Sequence, residues 1–275
     1  MGSGTLYVVA TPLGNLEDIT FRAVRVLREV DVIACEDTRR TVKLLNRNEI
    51  RTPMAVLHDH NKVRAGAGIL RRLREGRNVA LVSDAGTPAI SDPGYELVRD
   101  AVASGIPVEV IPGPSALISA LVVSGLPTDR FAFEGFLPNR PARRRKALSA
   151  LAGETRTMIF YESPQRVAAF LSDASETLGE RRACIVRELT KVHEEILRGT
   201  LPELAAEVAR REAVLGEITV VVAGAPETGE LSVEEAVRAA LSEAEGSSRD
   251  LAKEIAERTG LSRRDVYEEI LRQRK

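Results

Sequence analysis

From Thr5 to Ser124 the chain alternates short runs of branched aliphatic residues with segments whose apolar side chains recur every three or four positions, and few architectures accommodate that grain. The runs predict strands at Leu6–Ala10, Asp31–Cys35, Met54–Leu57, Asn78–Val82 and Pro107–Ile111. The periodic segments predict helices at Phe21–Arg28, Thr41–Asn46, Val63–Glu75 and Tyr95–Ser104. A strand–helix–strand series builds a mainly parallel sheet covered by helices, so the fold class is α/β. In such sheets ligands bind beyond the carboxyl ends of the strands, where the loops gather.

After Gly125-Leu-Pro127 the pattern changes. Strands are predicted at Phe131–Phe136, Thr157–Tyr161, Ala183–Val186, Glu194–Arg198 and Ile218–Val222, with helices over 141–151, 164–178 and 201–211. This reads as a second α/β domain with more antiparallel pairing. The expected limits are 5–124 for the first domain and 125–224 for the second, with a ligand cleft between them. Gly224-Ala-Pro-Glu-Thr-Gly-Glu230 is a polar linker, and 231–275 a third unit of short charged helices. There Leu251, Ile255, Ala256, Leu261, Val266 and Ile270 fall at core spacing, with a turn at Thr259-Gly260 and Ser262 as N-cap of the second helix. The pattern is that of a helix-turn-helix.

No apolar run approaches the roughly 18–20 residues that span a bilayer. Met1-Gly-Ser-Gly4 carries neither a basic nor an apolar leader, and Cys35 and Cys184 lie far apart in apolar runs without a CxxC. The expectation is a cytoplasmic protein with reduced core thiols and no membrane partner. A net charge of −1 excludes a polybasic coat for nucleic acid, but not local patches. The densest is Arg140-Pro-Ala-Arg143-Arg144-Arg145-Lys146, whose charges repel one another unless an anion lies close; Arg71–Arg77 and Arg39-Arg40 are weaker.

Three predicted strands end in Gly/Pro turns on one sheet edge: Thr11-Pro-Leu-Gly-Asn15, Ser83-Asp-Ala-Gly-Thr-Pro-Ala-Ile-Ser-Asp-Pro-Gly94 and Pro112-Gly-Pro-Ser-Ala116. Together they describe a preformed pocket. GxxxxGK[ST] is missing and no GxGxxG follows the first strand, so a cofactor bound through its phosphates is disfavoured. S-adenosylmethionine carries no phosphate. It needs an apolar slot for adenine, main-chain groups for its amino-acid end and oxygens near a cationic sulfonium, which such turns supply.

Ala10–Ile19, Cys35-Glu-Asp-Thr-Arg39, Leu81–Gly94, Ile111–Ala116, Phe133-Glu-Gly-Phe-Leu137, Phe160-Tyr-Glu-Ser-Pro164 and Arg187-Glu-Leu-Thr-Lys191 resemble, in order, the signatures of the tetrapyrrole methylase-like (class III) methyltransferases. The match runs from Leu6 to Gly224 and is closest to the branch that methylates small-subunit ribosomal RNA, whose tail 231–275 also resembles. The resemblance implies a two-domain homodimer with S-adenosylmethionine in the interdomain cleft. The cofactor would lie on Pro12, Leu13 and Gly14, on Asp84, Gly86 and Thr87, on Ser115 and Ala116, and on Tyr161, Leu189, Glu217 and Ile218. It also implies the reaction, 2'-O-methylation of a cytidine ribose (cytidine 1402, in the decoding centre) of 16S rRNA in the small ribosomal subunit. Porphyrinoid methylases have a glycine-rich first loop; Thr11-Pro-Leu-Gly-Asn15 departs from it and favours the RNA branch.

Methyl transfer to a hydroxyl is an in-line displacement in which alignment lowers the barrier and a base takes the proton. Glu36, Asp37, Glu162 and Glu188 are the candidate bases, with Asp84 after the fourth strand weighed beside them, and they stay unassigned among themselves, since Asp37 can pair with Arg39 or Arg40, Glu162 with Arg166 and Glu188 with Lys191. Arg39, Arg40, Arg143, Arg144, Arg145, Lys146, Arg263 and Arg264 are the candidate RNA contacts. His58-Asp-His60 puts two imidazoles on one strand face, but no third ligand is identifiable and no metal is expected. Two rivals stay open: a ligand-sensing DNA-binding regulator, which the tail alone permits, and a small-molecule methylase of the tetrapyrrole branch.

Overall fold

A computed structural model describes residues 2–58, 61–226, 233, 237–238, 240–241, 247–259 and 262–273. The first sheet holds β1 (Leu6–Val9), β2 (Val32–Cys35), β3 (Met54–Val56), β4 (Val79–Val82) and β5 (Val108–Ile111), all parallel, in the order β3-β2-β4-β1-β5. Every residue of β2 and β4 is buried, as expected of strands covered on both faces. Alternation along β4 divides them: Val79 and Leu81 face α3 (Lys62–Arg74) and α4 (Tyr95–Ala103), while Ala80 and Val82 face α1 (Phe21–Glu29) and α2 (Thr38–Arg47).

The second sheet holds β6 (Phe131–Phe136), β7 (Thr157–Glu162), β8 (Arg182–Arg187), β9 (Glu195–Thr200) and β10 (Ile218–Val222), in the order β6-β7-β10-β8-β9. Only β6 and β7 are parallel; the other pairs are antiparallel. One face packs on α6 (Pro141–Ala150), α7 (Val167–Leu178) and α8 (Leu201–Ala209), and a capping box between Thr200 and Glu203 starts the last of these.

The opposite face is covered by α5 (Ala116–Ser124), a helix that the periodicity did not predict. Ala-Leu-Ile-Ser-Ala-Leu-Val-Val-Ser is apolar nearly all round, so it carries no amphipathic signal. Leu117, Ala120 and Leu121 pack against Ile159, Cys184, Val186 and Val221 of the second sheet, so the change of core falls between β5 and α5, earlier than Gly125. Both sheets belong to one compact unit, 1–152 with 156–223.

A second compact unit comprises 153–155 and 224–275. In it, helices Ser248–Thr259 and Arg263–Gln273 bury Leu251, Ile255, Val266 and Ile270 together with Val237 and Ala240. The expected turn glycine, Gly260, and Leu261 lie outside the described residues. No described helix is long and apolar enough to cross a membrane.

Candidate active site

The ends of β1, β4 and β5 are fastened to one another. Thr11 and Gly86 exchange main-chain hydrogen bonds of 2.9 and 3.0 Å, and Thr11 Oγ1 donates to Ser83 O at 3.1 Å. Thr87 Oγ1 donates to Pro114 O at 3.2 Å, which ties the second loop to the third. Gly86 has φ +79°, and a Cβ there would stand 3.1 Å from Leu13 Cδ2. These loops wall one side of a cavity of about 380 Å³, within the range of small-molecule sites. The other wall comes from the second sheet: Phe136, Tyr161, Glu162, Leu189 and the Gly216–Thr219 segment.

Of the residues expected to hold a cofactor, Leu13, Asp84, Gly86, Thr87, Ser115, Ala116, Tyr161, Leu189, Glu217 and Ile218 line this cavity. Pro12 and Gly14 do not: Pro12 is buried, and Gly14 abuts the Lys191 side chain, where a Cβ would lie 2.2 Å from Cγ. Tyr161 is wedged edge-on against Phe133 and Phe136 at ring distances of 4.9 and 5.7 Å. Burial pushes its hydroxyl up to about 12, against a backbone hydrogen bond from Leu117 and with the charge of Asp92 adding to the rise, so it remains a donor at neutral pH. Ser115 caps α5 without a side-chain hydrogen bond; the Leu117 N–H of the first turn goes to the Tyr161 hydroxyl, and Ala116 lines the cavity.

The candidate bases separate sharply. Asp37 caps α2, accepting from Arg39 N at 2.8 Å, and its carboxylate grips the Arg39 guanidinium at 2.7 Å. Arg39 holds its carboxyl down at about 2. It does not line the cavity and is corrected to a structural role. Glu188 is also corrected. Burial pushes its carboxyl up, but Lys191 Nζ at 2.8 Å and Glu217 N at 2.9 Å outweigh that and hold it below the usual range. Glu162 lines the cavity yet is 2% exposed. Its Oε1 accepts from Ser163 N at 2.7 Å and Oε2 stands 3.2 Å from Arg166 Nη2, an ion-pair distance without hydrogen-bond alignment. Burial raises its proton affinity, while the Ser163 N–H and the cations Arg166 and Arg144 oppose the rise. Glu36 lines the cavity at the end of β2 and has a partner of its own.

Sequence reasoning passed over Asp92. It lines the cavity, burial and the neighbouring carboxylates Glu36, Asp84 and Glu217 push it up to about 7, and among the described residues the charged groups that act on it are acids. The signal was present in Ser91-Asp92-Pro93 of the longest loop, but its neighbours come from other strand ends. Asp84 accepts from Asp37 N at 3.1 Å, and Arg40 spans the mouth, 3.5 Å from Asp84 and 3.7 Å from Glu217. So acidic a lining disfavours anionic cofactors and suits a cationic one.

Residues 5–205 match the tetrapyrrole (corrin/porphyrin) methylases. A protein of Micromonospora olivasterospora named ribosomal RNA small subunit methyltransferase I is 48% identical over 98% of this chain and 87% of its own length. One of the same name from Thermotoga maritima is 50% identical over 80% of this chain and 99% of its own. The chain belongs to the ribosomal RNA small subunit methyltransferase I family, within the tetrapyrrole methylases. Among solved structures, a uroporphyrin-III C-methyl transferase of Thermus thermophilus complexed with S-adenyl homocysteine superposes with a TM-score of 0.56. At 22% identity over 79% of this chain and 97% of that one, it shares the fold.

In this methyltransferase the basic residues are not equivalent. Arg144 is 4% exposed and corrects its expected role as an RNA contact: Nη2 meets Asp173 Oδ2 at 2.7 Å and Nε donates to the same carboxylate. Asp173 also stands 3.3 Å from Arg145, and is the anion that the cluster at 140–146 required. Arg143 and Lys146 remain exposed on α6. In the second compact unit Arg263 and Arg264 are exposed, Arg264 paired with Glu268 at 3.1 Å. His58 is described, but Asp59 and His60 lie outside the described residues, and no cluster able to hold a metal occurs among those described.

Proposed function

We propose that the chain transfers the methyl group of S-adenosylmethionine to the 2'-hydroxyl of a cytidine ribose, cytidine 1402 of 16S rRNA, in the small ribosomal subunit. The observation that carries this reading is the near-half identity, over almost the whole chain, to proteins named ribosomal RNA small subunit methyltransferase I. The cavity supports it. Glu36, Asp84, Asp92 and Glu217 surround a space suited to a sulfonium, the N-terminus of α5, where Ala116 lines the cavity, suits a carboxylate, and Leu13, Leu189 and Ile218 offer apolar surface for adenine. The working division is a first α/β domain, a second and the tail, with the cofactor between the two sheets. The enzyme works as a cytoplasmic homodimer; edge-strand Val110 and Ile118 and Val122 of α5 leave apolar surface exposed, which sedimentation would find covered.

The RNA approaches the open mouth of the cavity. Phe136, at the end of β6, is 54% exposed and lines it, and α6 with Arg143 and Lys146 begins only a short loop further on. Arg40, Arg145, Arg263 and Arg264 are further phosphate contacts, and Arg39 a weaker one because Asp37 holds it. Neutralising Arg143 and Lys146 together should weaken binding to small subunits and reduce the salt slope by roughly 1.5, from two lost phosphate contacts, with cofactor affinity unchanged. An unaltered slope places the RNA elsewhere.

Methyl-labelled S-adenosylmethionine offered with small subunits or with a porphyrinogen tests the substrate class. Label in 16S rRNA is expected; label in the porphyrinogen alone would favour the tetrapyrrole reading that the family's own description suggests.

A further inference from the structure

We infer that Asp92 is the general base that accepts the proton of the attacking ribose hydroxyl, and that the sulfonium of the incoming cofactor converts it to its basic form. The inference rests on the methyl-transfer reading above. It starts from the loop between β4 and α4. Ala89 and Ser91 hold positive φ values of +68° and +60°, a region that non-glycine residues occupy at a cost and that clusters at functional sites. That backbone places Asp92 among the cavity-lining residues, after Ile90 and Ser91, which line it as well. The carboxyl is mostly withdrawn from water, and the charged groups that act on it among the described residues are acids.

The other acids at the cavity are committed. Asp84 holds Asp37 N and Arg40, Glu162 holds Ser163 N and Arg166, Glu217 pairs with Lys191 and Arg40, and Glu36 has its own partner. Asp92 is therefore the carboxyl left for proton transfer. The groups that face it are Glu36 from the end of β2, Asp84 from the end of β4, Glu217 ahead of β10 and the Tyr161 hydroxyl from β7, which senses its charge. Burial and three like charges keep Asp92 half protonated near pH 7 in the absence of a sulfonium, so it is a stronger base than an ordinary aspartate.

A sulfonium within the same cavity adds one positive charge to this ring of acids. It lowers the proton affinity of Asp92 and releases the proton to solvent, so loading the cofactor prepares the base. In the transfer step the ribose oxygen forms its bond to the methyl carbon as the carbon–sulfur bond breaks. The electron pair of that bond stays on sulfur as a neutral thioether, and the hydroxyl proton passes to Asp92. Loss of the positive charge restores the high proton affinity of Asp92 as the proton arrives, so the two halves of the reaction assist one another. The protonated acid returns its proton to solvent when the next cofactor binds.

The test uses the full chain with the Asp92→Asn and Asp92→Glu variants. Melting curves come first. A carboxyl raised in the folded state destabilises it progressively as pH rises from the unfolded value towards about 7, so Asp92→Asn is expected to melt higher than the parent at pH 8 and equally at pH 4. Titration calorimetry in buffers of different ionisation enthalpy then reads protons released on S-adenosylmethionine binding at pH 7. A fraction of a proton that the Asn variant fails to release is expected. Single-turnover methylation of small subunits should fall about 100-fold or more in Asp92→Asn, lose its rise with pH, and recover in part in Asp92→Glu. Binding without a proton difference between parent and Asn variant, or single-turnover rates within threefold of each other, overturns the role of Asp92 alone. A parent that binds the cofactor but leaves 16S rRNA unlabelled overturns the methyl-transfer reading, and Asp92's role with it.

Discussion

Arg144→Ala is expected to lower the stability of the larger unit by about 3 kcal/mol, near the foot of the range for stranding one partner of a buried ion pair. The side chains of Arg144 and Asp173 are 5% and 9% exposed, so neither charge can turn to water when its partner is removed. Arg145 at 3.3 Å gives Asp173 partial compensation, which holds the loss below the top of the range. For a unit of this size the melting temperature should drop by roughly 6–12 °C. Replacing both partners, Arg144→Met with Asp173→Leu, should recover most of the loss, because apolar packing substitutes for the pair without a desolvated charge. Arg143→Ala, three residues after Arg140 on the exposed side of the same helix, should change stability by less than about 0.5 kcal/mol. Equal, small effects at 143 and 144 would return Arg144 to the group of solvent-facing contacts.

Gly216→Ala is the second large effect. Gly216 has φ +93°, and a Cβ on it would stand 2.3 Å from Glu188 Cγ and 2.4 Å from both Cδ and Oε1. Glu188 cannot swing away freely, since its carboxylate accepts from Lys191 Nζ at 2.8 Å and Glu217 N at 2.9 Å. Its own backbone is at φ +52°, with Thr190 at +65° beyond it, so this turn already holds strain. Backbone strain and crowding together should cost about 2–4 kcal/mol. Because Glu217 and Ile218 follow directly and line the cavity, cofactor affinity should fall about tenfold even where the variant folds. A folded Gly216→Ala with parental affinity would show that the Glu188–Lys191–Glu217 cluster is independent of the cavity. Calorimetry on the variant decides it.

What could be read from the chain follows the range over which its signals act. The parallel strands were legible because β2 and β4 are short unbroken apolar runs, and the cavity was legible because three Gly/Pro turns end strands on one edge. α5 was not, since a helix apolar nearly all round has no periodic face to detect. Arg144 looked like its exposed neighbours because its partner Asp173 lies 29 residues further on, on another helix. The spacing offered Arg39 for Asp37 and Lys191 for Glu188 as partners, but the Glu217 N–H that also holds Glu188 comes from 29 residues further on and shows only in the folded chain. Asp92 was quoted within its loop without a role, because what makes it basic is burial together with the approach of Glu36, Asp84 and Glu217 from three different places in the sequence.

The most direct measurement is nucleoside mass spectrometry of 16S rRNA from small subunits that lack ribose methylation at cytidine 1402, after incubation with the purified chain and S-adenosylmethionine. Appearance of one 2'-O-methylcytidine at that position, and no methylated base, is the expected result. A methyl group on a base, on a different nucleotide, or on no RNA at all while the cofactor is bound would contradict it.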